Sequence, residues 1–243
     1  MTKPIIPYKD SEASKKEQVS QMFDAISTRY DGLNRVISMG IDVSWRKKVL
    51  ALVQSSKPSK IIDLATGTGD LALLMTQTGA TEIIGLDISK GMLAVGVEKI
   101  RKQQLSDVIQ MVYGDSENIP YDTNYFDAAT VAFGIRNFEN LHQGLTDILR
   151  VLKPGGQLVI LETSVPTRFP FKQGYFFYTR LILPLIGKLF SKDRAAYGYL
   201  SESAAQFPYG DALKAILAQN GYTNIQIFPQ SLGVATIYQA YKP

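Results

Sequence analysis

The chain has 243 residues, 26 Lys and Arg against 22 Asp and Glu, one histidine, one tryptophan and no cysteine. Without thiols there is no disulfide framework, zinc-thiolate or iron–sulfur site, and His142 by itself makes no multi-histidine metal centre. The opening residues lack the apolar core of a signal peptide, no apolar run reaches the roughly 18–20 residues that cross a bilayer, and a net charge of +4 argues weakly for nucleic acid, so a cytoplasmic protein with no nucleic-acid partner is expected.

In chain order, helical periodicity begins at Ser14, with Val19, Met22, Phe23 and Ile26 on one face. A second helix follows Gly40, carrying Trp45, Val49, Leu52 and Val53 on its apolar side and ending at Lys57-Pro58-Ser59. Trp45 reads as a core residue that docks this helix, and Tyr30-Asp31 is expected between the two helices. Short apolar runs then alternate with helical stretches: 60–64, 82–87, 108–113, 127–133 and 157–163 as strands, 71–77, 90–104 and 141–152 as helices. That alternation specifies a mostly parallel sheet with helices on both faces. After a helix at 211–219, the runs 222–228 and 234–241 are joined by too short a link for a parallel crossover, so the seventh strand pairs antiparallel. The expected organisation is one domain, 1–243, with residues 14–55 as a helical cap and 164–206 as a helical insertion after the fifth strand.

The strongest local signal is Asp63-Leu-Ala-Thr-Gly67-Thr-Gly69-Asp70, where the first strand hands over to a helix. Glycines there permit a sharp turn and a close ligand approach, and open α/β sheets bind ligands at the carboxyl ends of their strands. Asp87 ends the second strand, where a carboxylate accepts from ribose hydroxyls. These features also fit a dinucleotide site, since Gly67-Thr-Gly69-Asp-Leu-Ala72 satisfies G-x-G-x-x-A, a weak match by itself. Asp63 would repel a pyrophosphate but attract an ammonium group, and Gly114-Asp115-Ser116 places an acceptor where an adenine amino group would sit. With Leu152-Lys-Pro-Gly-Gly156 as a turn before the fifth strand, the set resembles the seven-stranded, Rossmann-like fold of class I S-adenosylmethionine-dependent methyltransferases. Four acids, Asp63, Asp70, Asp87 and Asp115, suit a donor carrying a sulfonium and an ammonium.

Residues outside that core narrow the resemblance. Phe23-Asp24-Ala-Ile-Ser-Thr-Arg29-Tyr30-Asp31-Gly-Leu-Asn34, Gly40-Ile-Asp-Val-Ser-Trp45-Arg46, Phe133-Gly134-Ile-Arg136-Asn137 and Leu161-Glu162-Thr163-Ser164 resemble the ubiquinone/menaquinone biosynthesis C-methyltransferase family, from about residue 18 to the end, including Tyr199-Leu200 and Phe207-Pro208. The resemblance implies S-adenosylmethionine as cofactor, with Thr68, Asp87, Asp115 and Ser116 at the family's cofactor positions beside Asp63, Gly67 and Gly69. Ala132 departs from it, standing where some members carry a serine. The implied reaction is C-methylation of demethylmenaquinol in the last step of menaquinone synthesis. The alternatives are the equivalent step on a polyprenyl benzoquinol of the ubiquinone route and, further off, an NAD-dependent oxidoreductase.

Carbon methylation needs a ring made electron-rich by loss of a phenolic proton. Bringing a phenol of pKa ~10 to ionise near neutrality takes about three units, roughly 4 kcal/mol. A buried guanidinium supplies part of that, and Arg136, after the fourth strand, is the candidate, with Asn137 orienting the ring oxygen and Tyr30 as a further catalytic candidate. Glu162 reads equally as a site wall or a strand-end acid, and His142 as a helix-end surface residue. No metal site is expected.

Residues 163–194 hold six basic side chains against one acid, a local charge of +5, and six of the ten residues 169–178 are aromatic. The segment 169–190 is therefore read as a lid, a homodimer contact, or a peripheral membrane contact that reaches a polyprenyl-tailed quinol substrate.

Overall fold

The computed structural model describes residues 5–179 and 194–243. Ser14 opens α1 (Lys15–Ile26) with a reciprocal cap: its hydroxyl accepts from the Glu17 amide, and the Glu17 carboxylate accepts from the Ser14 amide. A single 3₁₀ turn leads into α2 (Tyr30–Ile37), and Gly40, at φ 75°, turns the chain into α3 (Ile41–Gln54). Tyr30 and Asp31 are thus the first residues of an extra helix and not a connection between two. That helix is only eight residues long and buries Leu33 alone, so packing on its neighbours and not its own length sustains it.

The sheet follows, with β1 (Lys60–Leu64), α4 (Asp70–Met75), β2 (Glu82–Asp87), α5 (Lys90–Lys102), β3 (Ile109–Tyr113), β4 (Phe126–Ala132), α6 (Leu141–Val151) and β5 (Leu152–Thr163). Then come α7 (Phe171–Phe177), α8 (Arg194–Gln206), α9 (Asp211–Gln219), β6 (Thr223–Gln230) and β7 (Ala235–Tyr241). Strand order is β3-β2-β1-β4-β5-β7-β6, with β7 antiparallel to both neighbours and the other pairings parallel. Phe126 pairs with Leu152 and Ala128 with Gln157, so Lys153–Gly156 are an irregularity within β5 and not the turn before it that their Pro-Gly-Gly sequence suggests.

Both sheet faces are covered. On one, Leu145 and Ile148 of α6 and Leu213 and Leu217 of α9 pack on Ile62, Leu64 and Ile160. On the other, Val49 and Val53 of α3, Met75 of α4 and Ile100 of α5 pack on Ile61, Ile83 and Val159. A third cluster joins Val19, Met22 and Ile26 of α1 to Met92 of α5 and to Ala196 and Tyr199 of α8. Residues 14–55 therefore divide: α1 contributes to the third cluster and α2 joins it through Tyr30, whereas α3 is a layer helix on the sheet. Trp45 is buried as expected, and its indole Nε1 donates to Ser231 Oγ at 2.9 Å, tying α3 to the β6–β7 link. Of the stretch 164–206, residues 180–193 lie outside the described residues, among them Arg180, Pro184 and Lys188.

Candidate active site

The carboxyl ends of β1, β2 and β4 and the residues just beyond β3 surround a pocket, the place where open α/β sheets take their ligands. Its floor includes Gly67, Asp87, Asp115, Ser116 and Gly134, and α1 and α2 close it from above with Lys16, Phe23 and Tyr30. The β1–α4 turn needs left-handed backbone at Ala65 (φ 49°), Gly67 (φ 59°) and Gly69 (φ 79°). It is pinned by Asp87, whose Oδ2 accepts from the Gly67 amide at 2.7 Å while Oδ1 accepts from the Ser89 amide at 2.8 Å. Burial pushes the Asp87 carboxyl up to about 6, against those two amides.

Asp63 lies beneath the same turn. Its Oδ1 accepts from the Thr130 hydroxyl at 2.6 Å and its Oδ2 from the Thr66 hydroxyl at 2.5 Å. Burial raises it too, to about 6. Asp63, Thr68 and Asp70 line a neighbouring recess with Asp31 and Arg46. There the Thr68 hydroxyl donates to Asp31 at 2.5 Å and accepts from Lys99 Nζ at 3.0 Å, while Lys99 pairs with Asp31 and Asp70, each at 2.6 Å. The expectation of four acids facing one ligand is thereby narrowed. Asp70 is neutralised by Lys99, and Asp115 pairs with Lys16 at 2.6 Å, whereas Asp63 and Asp87 have no ion pair among the described residues.

At the β4 and β5 ends, a 3₁₀ turn (Ile135–Asn137) presents Arg136 and Asn137. Arg136 Nη1 donates to Glu162 Oε1 at 2.5 Å and to the Phe133 carbonyl at 2.9 Å, with side chains 8% and 1% exposed for Arg136 and Glu162. Arg136 is therefore half of a buried ion pair. Asn137 lines the pocket, and its Oδ1 accepts from the Tyr199 hydroxyl at 3.0 Å. Burial pushes Tyr199 up to about 12 and also raises Tyr30. His142 is exposed beside Asn220, as a helix-end residue.

Several residues without a sequence signal assemble the cover. Asp24 Oδ1 accepts from Ser89 Oγ at 2.6 Å and the Gly91 amide at 2.7 Å, and Ser20 Oγ donates to the Ile88 carbonyl. Lys15 Nζ donates to the carbonyls of Phe138 and Arg136, and burial lowers its pKa. These partners are 65 to 123 residues distant in sequence, beyond the reach of any local pattern.

The family model of the ubiE/COQ5 methyltransferase family matches residues 11–242. The chain belongs to this family. Among curated relatives, the demethylmenaquinone methyltransferase of Bacteroides fragilis is 45% identical over 98% of this chain and 97% of its own, and that of Porphyromonas gingivalis is 40% identical over 98% of each. The ubiquinone/menaquinone biosynthesis C-methyltransferase UbiE of Geotalea daltonii is 44% identical over 94% of this chain and 97% of its own. Solved structures show the fold: the [4+2]-cyclase SpnF (TM-score 0.66, 18% identity, 95% of this chain and 97% of that one). A second is a SAM-dependent methyltransferase of Thermotoga maritima, described as a possible histamine N-methyltransferase (TM-score 0.65, 17% identity, 92% and 99%). A cyclase and a methyltransferase on one fold show that the family, and not the architecture, carries the reaction. The chain is a methyltransferase.

Proposed function

We propose that this protein transfers a methyl group from S-adenosylmethionine to a ring carbon of demethylmenaquinol, forming menaquinol. The observation that carries the reading is 45% identity to a demethylmenaquinone methyltransferase over 98% of the chain.

The pocket suits the cofactor. When bound, S-adenosylmethionine supplies an electrophilic methyl group on a sulfonium sulfur. Asp87 stands at the β2 end, where its carboxylate accepts from ribose hydroxyls; Asp115 and Ser116 stand at the adenine end, and Gly67 and Gly69 keep the backbone low enough for close approach. Asp63 and Thr68 brace the turn through Thr66, Thr130 and Asp31. Phe23, Met92 and the apolar face of α1 exclude water. Asn137, with its Oδ1 held by Tyr199, keeps its amide NH₂ as donor for a ring oxygen. Arg136 offers an anionic ring oxygen a fixed cation, and Tyr30 bounds the ring between the two recesses.

The deciding experiment follows a labelled methyl group from S-adenosylmethionine to short-tailed demethylmenaquinol, beside a demethylated benzoquinol and the oxidised naphthoquinone. Transfer to the naphthoquinol is expected. Preference for the benzoquinol would move the reaction to the ubiquinone route, and transfer to neither quinol would remove the reading.

The tail of such a substrate lives in lipid. We assign the described part of that segment, residues 169–179, as a peripheral membrane contact, supported by exposed Phe169, Phe177 and Lys172. A homodimer covering the same aromatics is the competing arrangement. No helix of the described residues is long and apolar enough to cross a membrane.

A further inference from the structure

A quinol ring carbon becomes nucleophilic as its hydroxyl gives up a proton, so the site needs an acceptor. The other buried or pocket-lining groups are engaged. Asp63 is held by two hydroxyls, Asp87 by two backbone amides, and Asp115 and Glu117 by Lys16. The phenols of Tyr30 and Tyr199 are raised, which makes them poor acceptors, and His142 lies on the outer face of α6.

Glu162 differs. Its Oε1 carries the Arg136 contact and accepts from the Thr163 amide, at 2.5 and 2.8 Å, whereas its Oε2 is buried with no hydrogen-bond partner among the described residues. The one other such buried side-chain atom among them is Arg136 Nε, on the same ion pair. A buried donor and a buried acceptor are costly to leave unpaired, and a group that donates and accepts together would complete the pair. A phenolic hydroxyl does both: its O–H faces a carboxylate oxygen and its oxygen faces a guanidinium N–H.

We infer that Glu162 Oε2 accepts the proton of the quinol hydroxyl and that Arg136 then holds the ring oxyanion; this rests on the quinol methylation above. In the step, the O–H bond breaks, its electron pair stays on the ring oxygen, and the proton forms the new bond to Oε2. The negative charge moves from Glu162 to the ring while Arg136 stays cationic, so no unpaired charge is left buried, the condition that makes such a transfer feasible in a dry site. Once the ring carbon has gained its methyl group, the C–H proton at that carbon leaves to water. Glu162 then returns its own proton to the ring oxygen, with net release of one proton. The titratable groups facing the pair are Tyr199 of α8 and Tyr238 of β7, with Tyr30 of α2 and Tyr175 of α7 acting on Arg136.

The first test needs neither cofactor nor turnover. 1-Naphthol bound to the protein at pH 7 should show the red-shifted absorption of its anion and, by infrared difference, a new protonated-carboxyl band. E162Q should bind it as the neutral naphthol, and E162D should keep part of the anion signal. In turnover, E162Q should lower kcat at least ~100-fold with cofactor affinity within twofold, and the deficit should shrink for quinols made more acidic by electron-withdrawing substituents. Wild-type turnover in E162Q, an equal deficit for quinols of every acidity, or wild-type protein that binds 1-naphthol without a new carboxyl band would each overturn the assignment. The infrared result stands even if E162Q fails to fold. Wild-type protein that methylates no quinol would instead remove the functional reading itself.

Discussion

Asp63 and Asp87 both sit near 6 against an ordinary 3.8, because burial disfavours their charged forms. Between those values the folded chain binds more protons than the unfolded one. The stability these groups confer is fully present below pH 3.8 and is lost as pH rises through about 6. Asp63→Asn, whose amide can still meet both threonine hydroxyls, should therefore flatten the decline in unfolding free energy between about pH 4 and 6, measured by urea titration. Ligand binding runs the other way, since ribose hydroxyls need a carboxylate acceptor. Cofactor affinity should fall as pH drops below about 6, by up to about tenfold per pH unit. Asp87→Ala should weaken binding at least about tenfold throughout, with calorimetry as the measurement. The strand-end position of Asp87 was legible in the sequence; its double backbone clamp was not, because that depends on where Gly67 and Ser89 come to rest.

Among the elements, α1 was expected in the cap, and its sequence hid only where its polar side would land. The capping box and the Val19–Met22–Ile26 face are local and readable, but its polar side ends on residues of other elements: Lys16 on Asp115, Ser20 on Ile88, Asp24 on Ser89 and Gly91. Asp24→Ala deletes two charge-assisted bonds, together worth a few kcal/mol at most. It should speed amide exchange across 15–26 and cofactor dissociation several-fold, leaving the strands protected, as hydrogen exchange and stopped-flow release would show. The β4 end makes the opposite demand, for absence of a side chain. A Cβ on Gly134 would lie 2.5 Å from Ala65 Cβ, in a turn where Ala65 already has φ 49°. Gly134→Ala should cost about 1–3 kcal/mol and lower cofactor affinity with it, a loss that thermal unfolding and calorimetry would both register.

At the scale of the whole molecule, the proposed substrate carries a polyprenyl tail, and exposed aromatics are where the chain would meet lipid. Phe169 and Phe177 are 80% and 60% exposed, and the Tyr178 hydroxyl donates to the Ile37 carbonyl at 2.6 Å, anchoring the end of α7 to α2 beside exposed Val36 and Met39. Replacing Phe169 and Phe177 by Ser should reduce co-sedimentation with anionic vesicles several-fold and leave the melting temperature within about 2 °C, because neither ring is in the core. Unchanged sedimentation, or a loss of self-association in its place, would favour the dimer.

The sequence by itself determined the strand–helix alternation, the antiparallel last strand, the glycine turn with Asp63 and Asp87, and the family, because each is written in short-range spacing or in a contiguous motif. Only the tertiary structure decided the rest. It split residues 14–55 into a cover and a layer helix, turned Thr68 and Asp70 into a recess with Lys99, set Lys16 on Asp115, and paired Arg136 with Glu162 across the β4 and β5 ends. The sequence marked Arg136 as a buried guanidinium and gave it no partner. Its charge partner stands 26 residues further on, and the register of two parallel strands brings them together, something no local pattern encodes.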